Sequence, residues 1–182
     1  MAASEPVTPD VHRFAPAAPG EAHVFGACAP GWHSVGPHET LVDEWIADMR
    51  DLGIERVVCL LPGRELDRGG ANVGRYRDAF GADAVRHAPI PDHHLADVET
   101  LEDDVLPFIE RAVTTDSPVV VHGLAGVGRT GQVLAAWLVS GRGYEPHDAV
   151  DTVLEMGRDP TEAVRFGDAT RHDILALLGD LR

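Results

Sequence analysis

Apolar and polar positions recur along the chain with two periods, and they divide it into strands and helices. In "ETLVDEWIADMRDLG" (39–53), Leu41, Val42, Trp45, Ile46, Met49 and Leu52 share one helical face, and Gly53 marks the stop. The apolar run "IERVVCLL" (54–61) predicts a buried strand, with "PGRELDRGG" (62–70) as its exit loop. Shorter runs predict strands within "HVFGACAPGW" (23–32), over "AVRHAPI" (84–90) and over Pro118–Val121, the last ending at His122. Helices are expected at 72–81, 131–141, 145–158 and 161–181. Another is expected at 100–113, where Pro107 should bend or interrupt it. Between these elements, "PDHHLAD" (91–97) is a polar loop. Residues 1–20, rich in Pro and Ala, are expected to form a loose arm ahead of a single domain spanning 21–182.

Strands alternating with helices predict an α/β fold with a central, mostly parallel sheet flanked by helices. Ligands of such sheets sit beyond the carboxyl ends of the strands. The loops after Leu61, Ile90 and His122 are therefore where chemistry is expected.

Composition narrows the function classes. The 182 residues, 44% of them hydrophobic, suit one domain with its own core. No apolar run approaches the ~18 residues of a membrane span. The start "MAASEPVTPD" lacks the basic and apolar regions of a secretory signal, so a cytoplasmic protein without a membrane partner is expected. Thirty acidic residues face fifteen basic ones, all arginine, for a net charge of -15. Such a surface resembles that of proteins from salt-loving archaea, where screening removes the self-repulsion. The alternative, a GC-rich genome that writes arginine for lysine, explains the arginines better than the acidity. Nucleic acid is a disfavoured partner, since its affinity rests on basic contacts. Two cysteines, Cys28 and Cys59, exclude a disulfide scaffold and a Cys-rich zinc site. No metal and no cofactor are expected.

The stretch "SPVVVHGLAGVGRTGQVLAAWLV" (117–139) carries the candidate chemistry. An apolar strand runs into a glycine-rich turn and then an apolar helix. Glycines let successive backbone N–H groups converge on one anion. The helix adds its positive end, and Arg129 adds a fork for two phosphate oxygens. Two cradles fit, each one residue short. The nucleotide-binding loop G-x-x-x-x-G-K-S/T would need lysine where Arg129 stands. Only 52 residues follow Thr130, and none form an apolar strand ending in Asp to hold magnesium. That reading remains as the remote alternative.

The second cradle is H-C-x-x-G-x-x-R-S/T-G. "HGLAGVGRTG" resembles this signature of the cysteine-dependent protein-tyrosine and dual-specificity phosphatases at every position but one. His122, Ala125, Gly126, Gly128, Arg129, Thr130 and Gly131 match, and Gly123 stands where the family has its cysteine. "PIPDHH" supplies Asp92, thirty-one residues before Gly123, where compact members carry a general-acid aspartate. The likeness runs from about residue 23 to 178 and looks closest to small archaeal members. It implies that fold and metal-free hydrolysis of phosphomonoesters on phosphoproteins. In the family's route a thiolate attacks phosphorus, and the aspartate protonates the leaving oxygen and then activates water. The resemblance makes Gly123, Leu124, Ala125, Gly126, Val127, Gly128 and Arg129 the phosphate cradle. It makes Thr130 the hydroxyl beside the sulfur and His122 the loop-orienting residue.

Glycine has no side chain with which to attack. One expectation is therefore a pseudophosphatase that binds a phosphorylated protein or small phosphomonoester. The other is an active hydrolase, through a cysteine native to position 123 or through another nucleophile. Cys59 and His122 are the candidates, against a core role for Cys59, and Cys28 is read as core or loop. His93 and His94 either recognise substrate or tune the acid, or are simply solvated. Asp97 and Glu102 to Asp104 are candidate substitutes for Asp92, or simply solvate a loop and a helix start. Arg64 and Arg68 either line the phosphate mouth or balance surface charge. Trp137 is read as core.

Overall fold

The central strand of the sheet is the one that feeds the glycine loop. The computed structural model describes residues 11–67, 71–167 and 169–181. Five strands take the order β1-β2-β5-β3-β4. They are β1 (Ala15–Pro16), β2 (Val24–Ala27), β3 (Arg56–Cys59), β4 (Val85–His87) and β5 (Val119–His122). All pairings are parallel except β1 with β2. The sheet is therefore the mostly parallel one expected from the alternating pattern.

Strand alternation divides the core in two. Val58, Leu60, Val119 and Val121 face one layer, and Val57, Cys59, Leu61 and Val120 face the other. The second layer is closed by α1 (His38–Asp51), through Val42, Trp45, Ile46 and Met49, and by Tyr76 of α3 (Val73–Phe80). A short helix between them, α2 (Gly63–Asp67), occupies what the sequence reads as an exit loop. The first layer is closed by α5 (Leu106–Thr114), α6 (Gly128–Arg142), α7 (Pro146–Glu155) and α9 (Arg171–Gly179).

Two expectations need correction and a third is refined. Of the arm expected at 1–20, residues 1–10 lie outside the described residues and 11–20 are not loose: β1 pairs with β2, and Ala17 and Ala18 are buried, because their small side chains let the segment lie against the first core layer. Pro107 interrupts the α-helix as expected, by a change of pitch and not by a break in the chain of turns. Helix α4 (Val98–Thr100) runs into a π turn over Leu101–Val105 and on into α5. The Leu106 N–H reaches back to Leu101, a wider turn that accommodates the proline ring and its missing donor. The expected helix at 161–181 is two, α8 (Glu162–Arg165) and α9, parted by Gly167 at φ +91. No helix among the described residues is long and apolar enough to cross a membrane.

Candidate functional site

β5 ends at His122, and the next five residues turn into α6, whose first residue is Gly128. The turn depends on Gly126. Its φ is +76, and a Cβ there would stand 2.5 Å from the Ala27 carbonyl oxygen. Two bonds close the loop. Thr130 Oγ1 accepts from the Gly123 N–H at 2.9 Å, and the Leu124 carbonyl accepts from the Ala29 N–H at 2.9 Å. No described residue accepts from the N–H groups of Leu124, Ala125, Gly126 or Val127. Those of Gly128 and Arg129 lie in the first turn of α6, where no intrahelical acceptor exists. Six donors thus surround one small concavity at the positive end of a fifteen-residue helix.

Arg129 is buried beside this loop. Its Nη1 and Nη2 donate to the two carboxylate oxygens of Glu65 at 3.0 and 2.9 Å, and Nη1 also donates to the Ile90 carbonyl at 3.0 Å. Asp92 Oδ1 lies 3.4 Å from Nη2. The end of the guanidinium is therefore locked by Glu65. Its Nε, 3.7 Å from where a Cβ on Gly123 would stand, is left beside the loop.

Asp92 lies on the polar loop after β4, across the same concavity. Gln132 of α6 pins that loop: its carbonyl accepts from the Ala96 N–H at 2.8 Å, and its amide donates to the His94 carbonyl at 2.9 Å. The cleft is lined by Trp32, Asp92, His93, residues 123–130 and Glu162.

His122 lies beneath the loop, fully buried. Its Nδ1 meets the Gly123 carbonyl at 2.8 Å, and since a carbonyl only accepts, Nδ1 carries the proton. Nε2 then accepts from the Tyr76 hydroxyl at 3.1 Å, with Trp45 edge-on to the ring. Burial pushes the imidazole down from 6.5 to about 4. Between these values the unfolded chain takes up a proton that the folded chain refuses. Stability is therefore full above the unfolded value and falls with pH toward about 4, by roughly 3 kcal/mol for this group. His122→Asn should show a correspondingly shallower fall in denaturant unfolding measured between those pH values. Equal slopes would mean that His122 is not buried and neutral.

The structure sorts the remaining candidates. Cys59 pairs in register with His122, as its place in the sequence suggests, but its thiol faces the second core layer. Burial pushes it up to about 12, so it is an inert core thiol and does not line the cleft. Cys28 is buried too, pushed up to about 11 by burial. His122 has both nitrogens engaged and is no nucleophile. His93 lines the cleft at φ +59 with its ring 4.0 Å from that of Phe166, and His94 Nδ1 contacts the Asp92 carbonyl at 2.8 Å. Asp97 caps α4 by accepting from the Thr100 N–H at 2.7 Å, which holds its carboxyl below the usual range. Glu102 and Asp103 lie on the π turn, as does Asp104, which pairs with Arg86 at 3.2 Å. None of them stands in for Asp92. Arg64 is exposed and does not line the cleft, and Arg68 lies outside the described residues. Trp137 is core.

Sequence reasoning missed Glu65, Gln132, Trp32 and Glu162. A signal existed only for the first: a guanidinium expected beside a buried loop requires a carboxylate partner.

A parallel sheet whose central strand ends in a glycine loop, an arginine and a helix N-terminus defines the class of protein-tyrosine and dual-specificity phosphatases. Solved structures share this fold. A mutant form of Tk-PTP is 25% identical, with a TM-score of 0.58 over 89% of this chain and 91% of its own. The human tyrosine phosphatase-like serine/threonine/tyrosine-interacting protein has a TM-score of 0.62 at 19% identity, over 92% of this chain and 93% of its own. The dual specificity protein phosphatase Mpk3 of Drosophila melanogaster is 37% identical over 78 residues, which are 43% of this chain and 19% of that protein. Matches to curated relatives cover about a fifth to a third of those proteins' length. A family model described as "Polymorphic toxin system, DSP-PTPase phosphatase" matches residues 36–142, more than half of the chain. The chain belongs to that dual-specificity phosphatase family.

Proposed function

We propose that the chain binds phosphorylated protein through the 123–130 loop and Arg129 without hydrolysing the phosphoester. The observation that carries this reading is a cradle of unpaired N–H groups with a fixed guanidinium, entered through a residue that has no side chain. In this reading Gly123 holds the nucleophile position, Asp92 the general-acid position, and Thr130 closes the loop beneath the anion. His122 orients the loop from below.

A second reading, a hydrolase if position 123 is natively cysteine, has one observation in its favour. Gly123 is not held by the backbone. Its φ lies outside the left-handed region, and a Cβ would stand 3.5 Å from Thr130 Oγ1 and 3.7 Å from Arg129 Nε, in ordinary contact. Cys59 and His122, buried and engaged as described, offer no alternative nucleophile.

The test is calorimetric titration with a phosphotyrosine peptide and its unphosphorylated parent. Binding of the phosphorylated peptide alone, with no phosphate released over hours, is the expected result. Equal binding of both peptides would remove the phosphate cradle from the account.

A further inference from the structure

Glu162 is the first residue of α8, and it lies over Gly128 so closely that a Cβ on that glycine would collide with its side chain. The carboxylate therefore sits on the rim of the cleft, a few ångströms from the loop. It accepts no hydrogen bond from the described residues, the loop N–H groups included, so it does not occupy the cradle as a stand-in anion. Across the cleft is the Asp92 carboxylate, 44% exposed, with Arg129 Nη2 and His93 Nε2 each 3.4 Å from it. Among the described residues lining the cleft, Arg129 supplies the one guanidinium, and Glu65 already pairs with it. A phosphate dianion that enters alone gains the loop N–H groups, but it meets an arginine already paired with Glu65 and the Glu162 carboxylate on the rim. A ligand carrying its own cation beside the phosphoryl group meets a complementary rim instead.

We infer that Glu162 makes the site selective for a phosphopeptide with an arginine or lysine flanking the phosphorylated residue. This rests on the phosphate-binding reading above and deepens it. Two further observations favour a peptide as the occupant. Trp32 and Phe166, 44% and 55% exposed, present apolar surface at the cleft, Trp32 in its wall and Phe166 against the His93 ring, which a chain of several residues covers and a small ester does not. The chain's net charge of -15 also draws basic segments toward it over longer range.

The experiment compares two phosphotyrosine peptides, identical except for arginine or glutamine on each side of the phosphotyrosine. Each is titrated into the native chain and into Glu162→Gln, at low and at molar salt. The native chain should favour the arginine peptide about fivefold at low salt, a ratio expected of a partly exposed charge pair. The preference should fall most of the way in Glu162→Gln, where only Asp92 and the long-range field remain, and shrink at molar salt. Equal affinities for the native chain, or a preference undiminished in Glu162→Gln, would overturn the assignment while leaving phosphate binding in place. Phosphoethanolamine competing as strongly as the arginine peptide would overturn the peptide as occupant. Failure of both peptides to bind would overturn the underlying reading, and the assignment with it.

Discussion

Gly123→Cys should turn over aryl phosphates where the native chain does not. A Cβ at this position meets only ordinary contacts, so the new side chain enters without moving the loop. Its sulfur would sit among the N–H groups of the cradle, at the N-terminus of α6 and beside Arg129, a field that lowers a thiol's pKa and keeps it a nucleophilic thiolate. Asp92 lines the same cleft, in the general-acid position proposed above. Removing a catalytic nucleophile from a comparable hydrolase costs on the order of 10⁶ in turnover, and that factor bounds the gain from above. Adding Asp92→Asn to the cysteine variant should cost about 10²- to 10⁴-fold of the turnover gained. Phosphate release from an aryl phosphate measures both. A cysteine variant that binds phosphate but stays silent would show that Asp92 or the loop is not placed for chemistry.

Arg129→Ala should fail in two independent ways. Phosphate affinity should be lost with the one guanidinium that, among the described residues, lines the cleft. The fold should also lose about 3–5 kcal/mol, because Glu65, only 12% exposed, is left as an unpaired buried carboxylate. Denaturant unfolding reads the second effect and calorimetry the first. Glu65→Ala in the same chain should recover most of the stability and none of the binding. That separation distinguishes a ligand-binding arginine from one that only holds the fold. Arg129→Lys should rescue neither, since an ammonium cannot match the carboxylate and phosphate forks together. An Arg129→Ala variant as stable as its parent would mean that the pair with Glu65 does not form.

Local pattern made the frame legible. The valine run of β5, the 3.6-residue spacing of α1 and the glycines after His122 each act within a few residues of sequence, so sheet, helix and loop could be read directly. What failed were features decided at a distance. Glu65 is 64 residues from Arg129, in a segment that reads as an exit loop. Glu162 enters the cleft from a helix after α7, and nothing in "DPTEAV" marks it as facing Gly128. The start of α6 was also hidden: glycines suggested a turn as far as Gly131, yet helix begins at Gly128 because the cradle and the first helical turn are one structure. Cys59 shows the same limit. Its register beside His122 was foreseeable, but the side of the sheet its thiol faces is fixed only by strand alternation in the folded sheet.

The central claim is binding without hydrolysis. It is tested most directly by incubating the native chain with an aryl phosphate at molar salt, following released phosphate, and titrating phosphate into the same sample. Saturable phosphate binding with no release above the uncatalysed rate is the expected result. Release that depends on the chain and is lost with Arg129→Ala would contradict the account, and would mean that a nucleophile other than residue 123 works in this cleft.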